Sequence, residues 1–286
     1  MNNSTEEIGV MLVVYGAPFV LLFGIVGNTL IIVTFSGKRL RYKSYAWLFI
    51  CLSVSDSGFL ATSLVRRWAF FYYRLEYDFC VVHVYLTYLF LHASPWMLVL
   101  ITIERCVSVV APMRASRKRM IYASLAVIFI VLAINSHMFY GIRIGNDLVI
   151  ASAAPFAVLL VCNVVIIYFL KRAESRRQTQ TSAVNNTSKN QHHHLNVATN
   201  FIFVVTSFPF SVVLQLDLNQ VSILAHAILA MLMYLNYAIN FWLYCFTGRK
   251  FREELMILCG FCSRKNRGPT AYSTTSLELG ESSVRF

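Results

Sequence analysis

Seven long apolar runs, at roughly 9–36, 45–69, 80–110, 120–142, 149–171, 195–217 and 221–247, decide what this chain can fold into. Each is nearly continuous and is bounded by charged or polar residues. A helix needs about 20 apolar residues to cross a bilayer, and every run provides them. Hydrocarbon offers the backbone no water, so each run must satisfy its own N–H and C=O groups, as a helix does within one segment. Closed barrels solve the same problem with strands of about ten residues that alternate apolar and polar, and these runs do not alternate. Composition agrees: 57% of residues are hydrophobic and 13% charged, where soluble domains carry about 25% charged residues.

The basic residues orient the runs. With the N-terminus outside, Lys38, Arg39, Arg41 and Lys43 follow run one on the cytoplasmic side, and Arg114, Arg117, Lys118 and Arg119 follow run three. Five more follow run five and seven lie in the tail. With Arg105, 21 of the 25 Lys and Arg share that side, leaving only Arg66, Arg67, Arg74 and Arg143 opposite. This is the asymmetry that sets membrane topology. The net charge of +12 is therefore topological, and no nucleic-acid partner is expected. The expected architecture is an all-α membrane protein, a seven-transmembrane helix bundle with a short amphipathic eighth helix, multi-pass in the plasma membrane. Residues 1–8 form an extracellular N-terminus, 9–247 the bundle, 248–262 the eighth helix and 263–286 a disordered cytoplasmic tail. Met1–Glu7 is polar and acidic, so the first helix serves as the targeting segment. Asn2 and Asn3 each begin a glycosylation acceptor pattern on the outer side.

Polar residues inside the runs are the candidates for function, because an ionised group at membrane depth costs a few kcal/mol. Asn28, Asp56, Ser94, Asn236 and Asn240 are expected to converge at mid-membrane. No Lys or Arg lies in the central part of any run to pair with Asp56. Two readings stay open for it. One is a sodium ion held by Asp56 and Ser94 with waters, since hard oxygens suit a hard cation; the other is a protonated Asp56 in a hydrogen-bonded water network. Glu104-Arg105 closes run three. Arg105 either faces the bundle interior, partly offset by Glu104, or snorkels to the headgroups. After run seven, Phe251, Leu255 and Leu258 share a helical face beside Arg249, Lys250 and Arg252, the pattern of a helix lying in the interface. Cys259 and Cys262 follow as candidate palmitoylation sites, or as plain thiols.

These residues together resemble the class A (rhodopsin-like) G-protein-coupled receptors over nearly the whole length. ERCVSVVAP (104–112) resembles the family's D/E-R-Y motif, and Cys80 stands 25 residues before Arg105, the family spacing in helix three. Gly27-Asn28, LSVSD (52–56), Pro155, and Phe203 with Pro209 match motifs of helices one, two, five and six. Asn240 and Tyr244 match the ends of N-P-x-x-Y, with Phe251 following at the family interval. AINFWLYCFTGRKFREEL (238–255), where Phe241 replaces the motif proline, resembles invertebrate neuropeptide receptors of the FMRFamide type.

The resemblance implies a receptor, not an enzyme, that promotes nucleotide exchange on a heterotrimeric G protein. It implies a switch made of Glu104, Arg105, Asn240 and Tyr244, and an allosteric sodium ion at Asp56 as the one non-protein component. Arrestin is an expected partner of the Ser- and Thr-rich tail, and an extracellular peptide is the expected ligand. No acid stands at the inner end of helix six, where 189–194 reads KNQHHH, so basal activity is expected. Run seven has no Lys for a retinal Schiff base, and Thr87 stands where amine receptors place an Asp. Arg66, Arg67, Thr87, Tyr88, Gln215 and His226 are the candidate ligand contacts, because aromatics and Arg carry peptide hot spots. The chain departs from the family in a short 141–150 segment without Cys to pair with Cys80, in lacking the helix-four Trp, and in Ser207 at the helix-six Trp position. A divergent orphan or chemosensory receptor with a non-peptide ligand, or a non-signalling relic, is the alternative. A transporter would show internal repeats and paired broken helices, which the sequence lacks.

Overall fold

A computed structural model describes residues 2–73, 81–110, 116–136, 139, 153–178, 209, 213 and 222–260. The described residues form helices joined by turns and contain no strand. The helices are α1 (Asn2–Ser36), α2 (Ala46–Phe59), α3 (Val65–Tyr73), α4 (Val81–Val110), α5 (Arg117–Asn135), α6 (Ala154–Gln178), α7 (Ile223–Ala238), α8 (Asn240–Thr247) and α9 (Arg249–Leu258). A π-helical turn, Leu60–Leu64, joins α2 to α3 without a break. Four stretches are long and apolar enough to cross a membrane: Thr5–Ser36, Ala46–Tyr73, Val81–Ser108 and Arg117–Asn135. The pair α7 and α8, bent by 53°, makes a fifth if it counts as one span. The apolar part of α6, Ala154–Phe169, is shorter. Run 195–217 lies outside the described residues but for Pro209 and Val213.

Large apolar side chains point outward along these helices. Tyr15, Phe19, Leu22, Phe129 and Val161 are all more than half exposed. A helix apolar all round belongs in a core or a membrane, and these side chains stay exposed. Inside, α1 packs on α7 and α2, and α4 packs on α2, α5 and α6. Three apolar clusters fill the interior among the described residues; the smallest joins Leu98, Val99 and Leu159, and the other two are larger. One joins Ile31, Phe35, Phe49, Leu52, Met97, Ile101, Phe241, Tyr244 and Phe251. The other joins Val13, Ala17, Phe59, Leu60, Leu64, Ala230, Tyr234, Tyr237 and Ala238. On α1, α2 and the α7–α8 pair, the polar residues Asn28, Asp56 and Asn240 fall between members of the two clusters.

Several boundaries differ from the sequence expectation. α1 begins at Asn2 and not near residue 9, because the Glu6-Glu7 turn is a good helix former that simply extends the apolar run. Run four is helical from Arg117 to Asn135, earlier than 120–142. The eighth helix is shorter than 248–262, spanning Arg249–Leu258. Run seven is not one helix. It breaks at Ile239, where the Trp242 N–H donates to the Ile239 carbonyl at 3.0 Å, a tight three-residue turn. Proline is the usual cause of such a bend, and none is here. Gly248 separates α8 from α9, and a Cβ on it would sit 2.7 Å from the Tyr244 carbonyl oxygen, so only glycine fits.

Candidate functional site

Asp56 is fully buried, at 0% exposure. The Ser94 hydroxyl of α4 donates to its Oδ1, and the Asn240 Nδ2 donates to its Oδ2 at 2.7 Å. One carboxylate thus ties three helices together. Each partner has a local reason to be there. Pro95 follows Ser94 and has no N–H to give the carbonyl four residues back, which loosens α4 beside the bond. Asn240 is the first residue of α8, so its side chain leaves the backbone at the bend. Asn28, also at 0% exposure, donates from Nδ2 to the Tyr237 carbonyl at 3.1 Å. Its Oδ1 is buried with no hydrogen-bond partner among the described residues. Asn236, expected in the same layer, is half-buried and makes no side-chain hydrogen bond to the described residues.

Toward the other end of α4, Glu104 is 2% exposed and Arg105 is 22% exposed at its side chain. Ser44, in the turn before α2, donates its hydroxyl to Glu104 Oε1, and Ser108 donates to the same oxygen at 3.1 Å. Arg105 Nε lies 3.9 Å from Glu104 Oε2, a loose ion pair. Its guanidinium carbon sits 4.2 Å from the centre of the Tyr45 ring, within the range of a cation–π contact. Burial raises the Tyr45 phenol above its ordinary value, and the adjacent Arg105 charge opposes the rise. Arg105 therefore turns inward onto protein, not outward to headgroups. Tyr244 is buried and packs edge-on against Phe49 at 4.8 Å. Sequence reading singles out Glu104, Arg105 and Tyr244 but not Ser44 and Tyr45, which sit in an ordinary polar turn.

No known protein family matches the chain, and no curated protein does. The remaining sequence candidates separate into groups. Arg67 donates from Nε to the Tyr234 hydroxyl at 3.3 Å, and His226 lies on α7. Arg66, one residue earlier, is exposed. Thr87 bonds to the His83 carbonyl of its own helix at 2.9 Å. Tyr88 lies against His92, whose Nδ1 meets Asn135 Oδ1 of α5 at 3.0 Å. These contacts tie Thr87 and Tyr88 into α4 and its neighbour α5. Gln215, Cys80 and Cys262 lie outside the described residues, and Cys259 is an exposed free thiol.

The amphipathic helix also carries a correction. Phe251 is buried, but Leu258 is exposed and Glu254 takes its place inside, at 4% exposure. Glu254 Oε1 accepts from the Arg39 N–H at 3.4 Å, and Oε2 lies 3.9 Å from Arg39 Nε. Arg252 Nη1 donates to the Cys245 and Phe246 carbonyls at 2.9 and 2.8 Å, which satisfies the last turn of α8.

Proposed function

We propose that this chain is a class A G-protein-coupled receptor of the plasma membrane, with its N-terminus outside, that responds to an extracellular ligand of the neuropeptide class. The observation that carries the reading is the pairing of two buried sites on α4. At Ser94 that helix is fastened to Asp56 and through it to Asn240; toward its C-terminal end it presents Glu104-Arg105 against the turn before α2. A single helix thus joins a polar junction at mid-membrane to a restrained cation at one membrane face. In a receptor, that is the arrangement by which a ligand-driven shift of packed helices reaches a partner protein. Arg105 is the residue freed toward the G protein, and Glu104, Ser44 and Tyr45 hold it in the resting state. Tyr244 moves with α8.

The junction's donors fit a small hard cation. Asp56 offers the charge, Ser94 a hydroxyl and Asn28 an amide oxygen that is otherwise orphaned. Bound sodium would neutralise Asp56 in the resting state. The tail carries Thr270, Ser273, Thr274, Thr275 and Ser276, which, phosphorylated, present clustered negative charge to arrestin.

The test is nucleotide exchange on heterotrimeric G proteins in membranes containing the chain, with a pool of amidated neuropeptides as stimulus and Arg105→Ala as control. Peptide-stimulated exchange that vanishes in the control is the expected result. Basal exchange without a peptide response assigns the receptor a non-peptide ligand. If chain shown at the cell surface drives no exchange on any G protein, the receptor reading fails and the relic remains.

A further inference from the structure

The end of the molecule that carries Arg105 is edged by a basic platform. Lys38, Arg41 and Lys43, in the turn after α1, are exposed, and so are Arg117, Lys118 and Arg119 in the first turn of α5. Trp47 donates from Nε1 to the Ser124 hydroxyl at 2.9 Å, which sets the start of α2 beside the start of α5. Apart from Arg41, these cations make no ion pair and no side-chain hydrogen bond among the described residues. Arg41 lies over the Tyr42 ring at 4.5 Å, a neutral partner that leaves its charge uncompensated. Arg39, in the same turn, is the one that Glu254 meets.

Two observations separate this platform from the basic residues that membrane topology alone requires. First, the topological rule counts Lys and Arg and is nearly indifferent to Asp and Glu. Yet at this end no carboxylate is exposed among the residues whose side chains are described: Glu104 and Glu254 are buried, and Glu253 is half-buried. The positive field is therefore undiluted at the surface. Second, a topological signal needs no fixed shape, and this turn has one. The Leu40 and Arg41 N–H groups donate to the Gly37 carbonyl at 3.2 and 3.0 Å, and the Lys43 N–H donates to the Leu40 carbonyl at 2.9 Å. Leu40 is buried in the apolar cluster with Phe35 and Phe251. A Cβ on Gly37 would lie 2.6 Å from Glu254 Oε1, so the turn sits closely on α9. At its other end Ser44 and Tyr45 hold Glu104 and Arg105. The exposed cations thus ride on a turn pinned at both ends.

We infer that this platform is a docking surface for the headgroup of a multiply phosphorylated inositol lipid in the facing leaflet. A cluster of about four to eight Lys and Arg directly beyond a membrane span is the pattern that holds such headgroups. Phosphates on one small ring bring several charges to a fixed platform at once, where phosphatidylserine brings a single net charge. Arg supplies paired N–H donors to the phosphate oxygens, and Lys supplies point charges. The inference rests on this face lying at a bilayer surface, and not on receptor activity.

The test uses the full chain in zwitterionic-lipid nanodiscs and a fluorescent dioctanoyl phosphatidylinositol bisphosphate, read by anisotropy against empty nanodiscs. The unlabelled bisphosphate lipid is expected to displace the probe at concentrations about tenfold below dioctanoyl phosphatidylserine. Arg41→Gln with Lys43→Gln, and separately Arg117→Gln with Arg119→Gln, should each weaken binding by about fivefold per cation removed. Arg172→Gln removes a charge from an exposed position on α6, outside the platform, and should leave the affinity unchanged. The inference is overturned if the probe gains no anisotropy over empty nanodiscs, or if phosphatidylserine competes equally, which makes the attraction a diffuse surface field. Soluble inositol trisphosphate binding as tightly as the lipid also overturns it, since the ligand is then a free phosphate. So does either variant pair that retains the parental thermal transition and the parental affinity, or an Arg172→Gln loss as large per charge. Nucleotide exchange is no part of this assay. Lipid binding without exchange sinks the receptor reading alone, and exchange without lipid binding sinks this inference alone.

Discussion

Removing the aromatic face beneath Arg105 should raise basal signalling. The guanidinium carbon lies 4.2 Å from the Tyr45 ring centre, and the ion pair to Glu104 is loose at 3.9 Å. Glu104 itself is satisfied largely by Ser44 and Ser108. The ring is therefore a restraint on the cation beside the loose ion pair. A cation–π contact contributes about 0.5–2 kcal/mol depending on desolvation. With the Arg105 side chain 22% exposed, about 1 kcal/mol is reasonable, which is about fivefold in a two-state population. Tyr45→Leu keeps apolar volume against Phe35 and Phe49 but removes the π face; basal nucleotide exchange per surface-expressed chain should rise about fivefold. Tyr45→Phe keeps the face and should stay close to the parent. If Tyr45→Leu leaves basal exchange unchanged at equal surface expression, the ring does not restrain Arg105. If Tyr45→Phe rises as far as Tyr45→Leu, the hydroxyl and not the π face was the restraint.

Three further outcomes are expected. Asp56→Ala strands the Ser94 hydroxyl and the Asn240 amide in a buried site, costing about 1–3 kcal/mol for each group left unpaired. Thermal unfolding in nanodiscs should show that loss, and agonist affinity should no longer respond to sodium; a sodium response that persists in the variant contradicts the proposed cation site. Gly24→Leu forces α1 from α7, because even a Cβ would lie 2.4 Å from Leu60 Cδ1 and 3.0 Å from Ala238 Cβ. Overpacking of this kind costs about 1–3 kcal/mol, readable as reduced yield of folded chain, with Val26→Leu on the exposed side as the neutral comparison. Glu254→Ala should loosen α9 by about 1 kcal/mol through loss of the Arg39 N–H bond, seen as faster amide exchange over 249–258 and not over α1.

The residues legible in the sequence are those the membrane penalises. A polar residue in an apolar run stands out, so Asn28, Asp56, Ser94 and Asn240 were visible, as was the charged end of run three. Tyr45 and Ser44 carried no such signal, because aromatic and hydroxyl residues are ordinary in a polar turn. The π-helical turn and the bend at Ile239 were invisible for the opposite reason: neither contains the Pro or Gly that usually marks such a feature. Glu254 did leave a trace that went unread, an acid three residues from Phe251 on the apolar face of a basic helix.

The bend has a mechanical consequence. A proline hinge is permanent, since its ring removes a donor that no rearrangement restores. At Ile239 and Asn240 every residue retains its N–H, so no missing donor holds α7 and α8 at their 53° bend. Just past this joint, the hydrogen bond from Asn240 to Asp56 fastens the start of α8 to α2. Whatever neutralises or recharges Asp56 therefore tightens or slackens a latch, and the travel it releases is delivered at the far end of α8, where Tyr244 and the Gly248 corner stand.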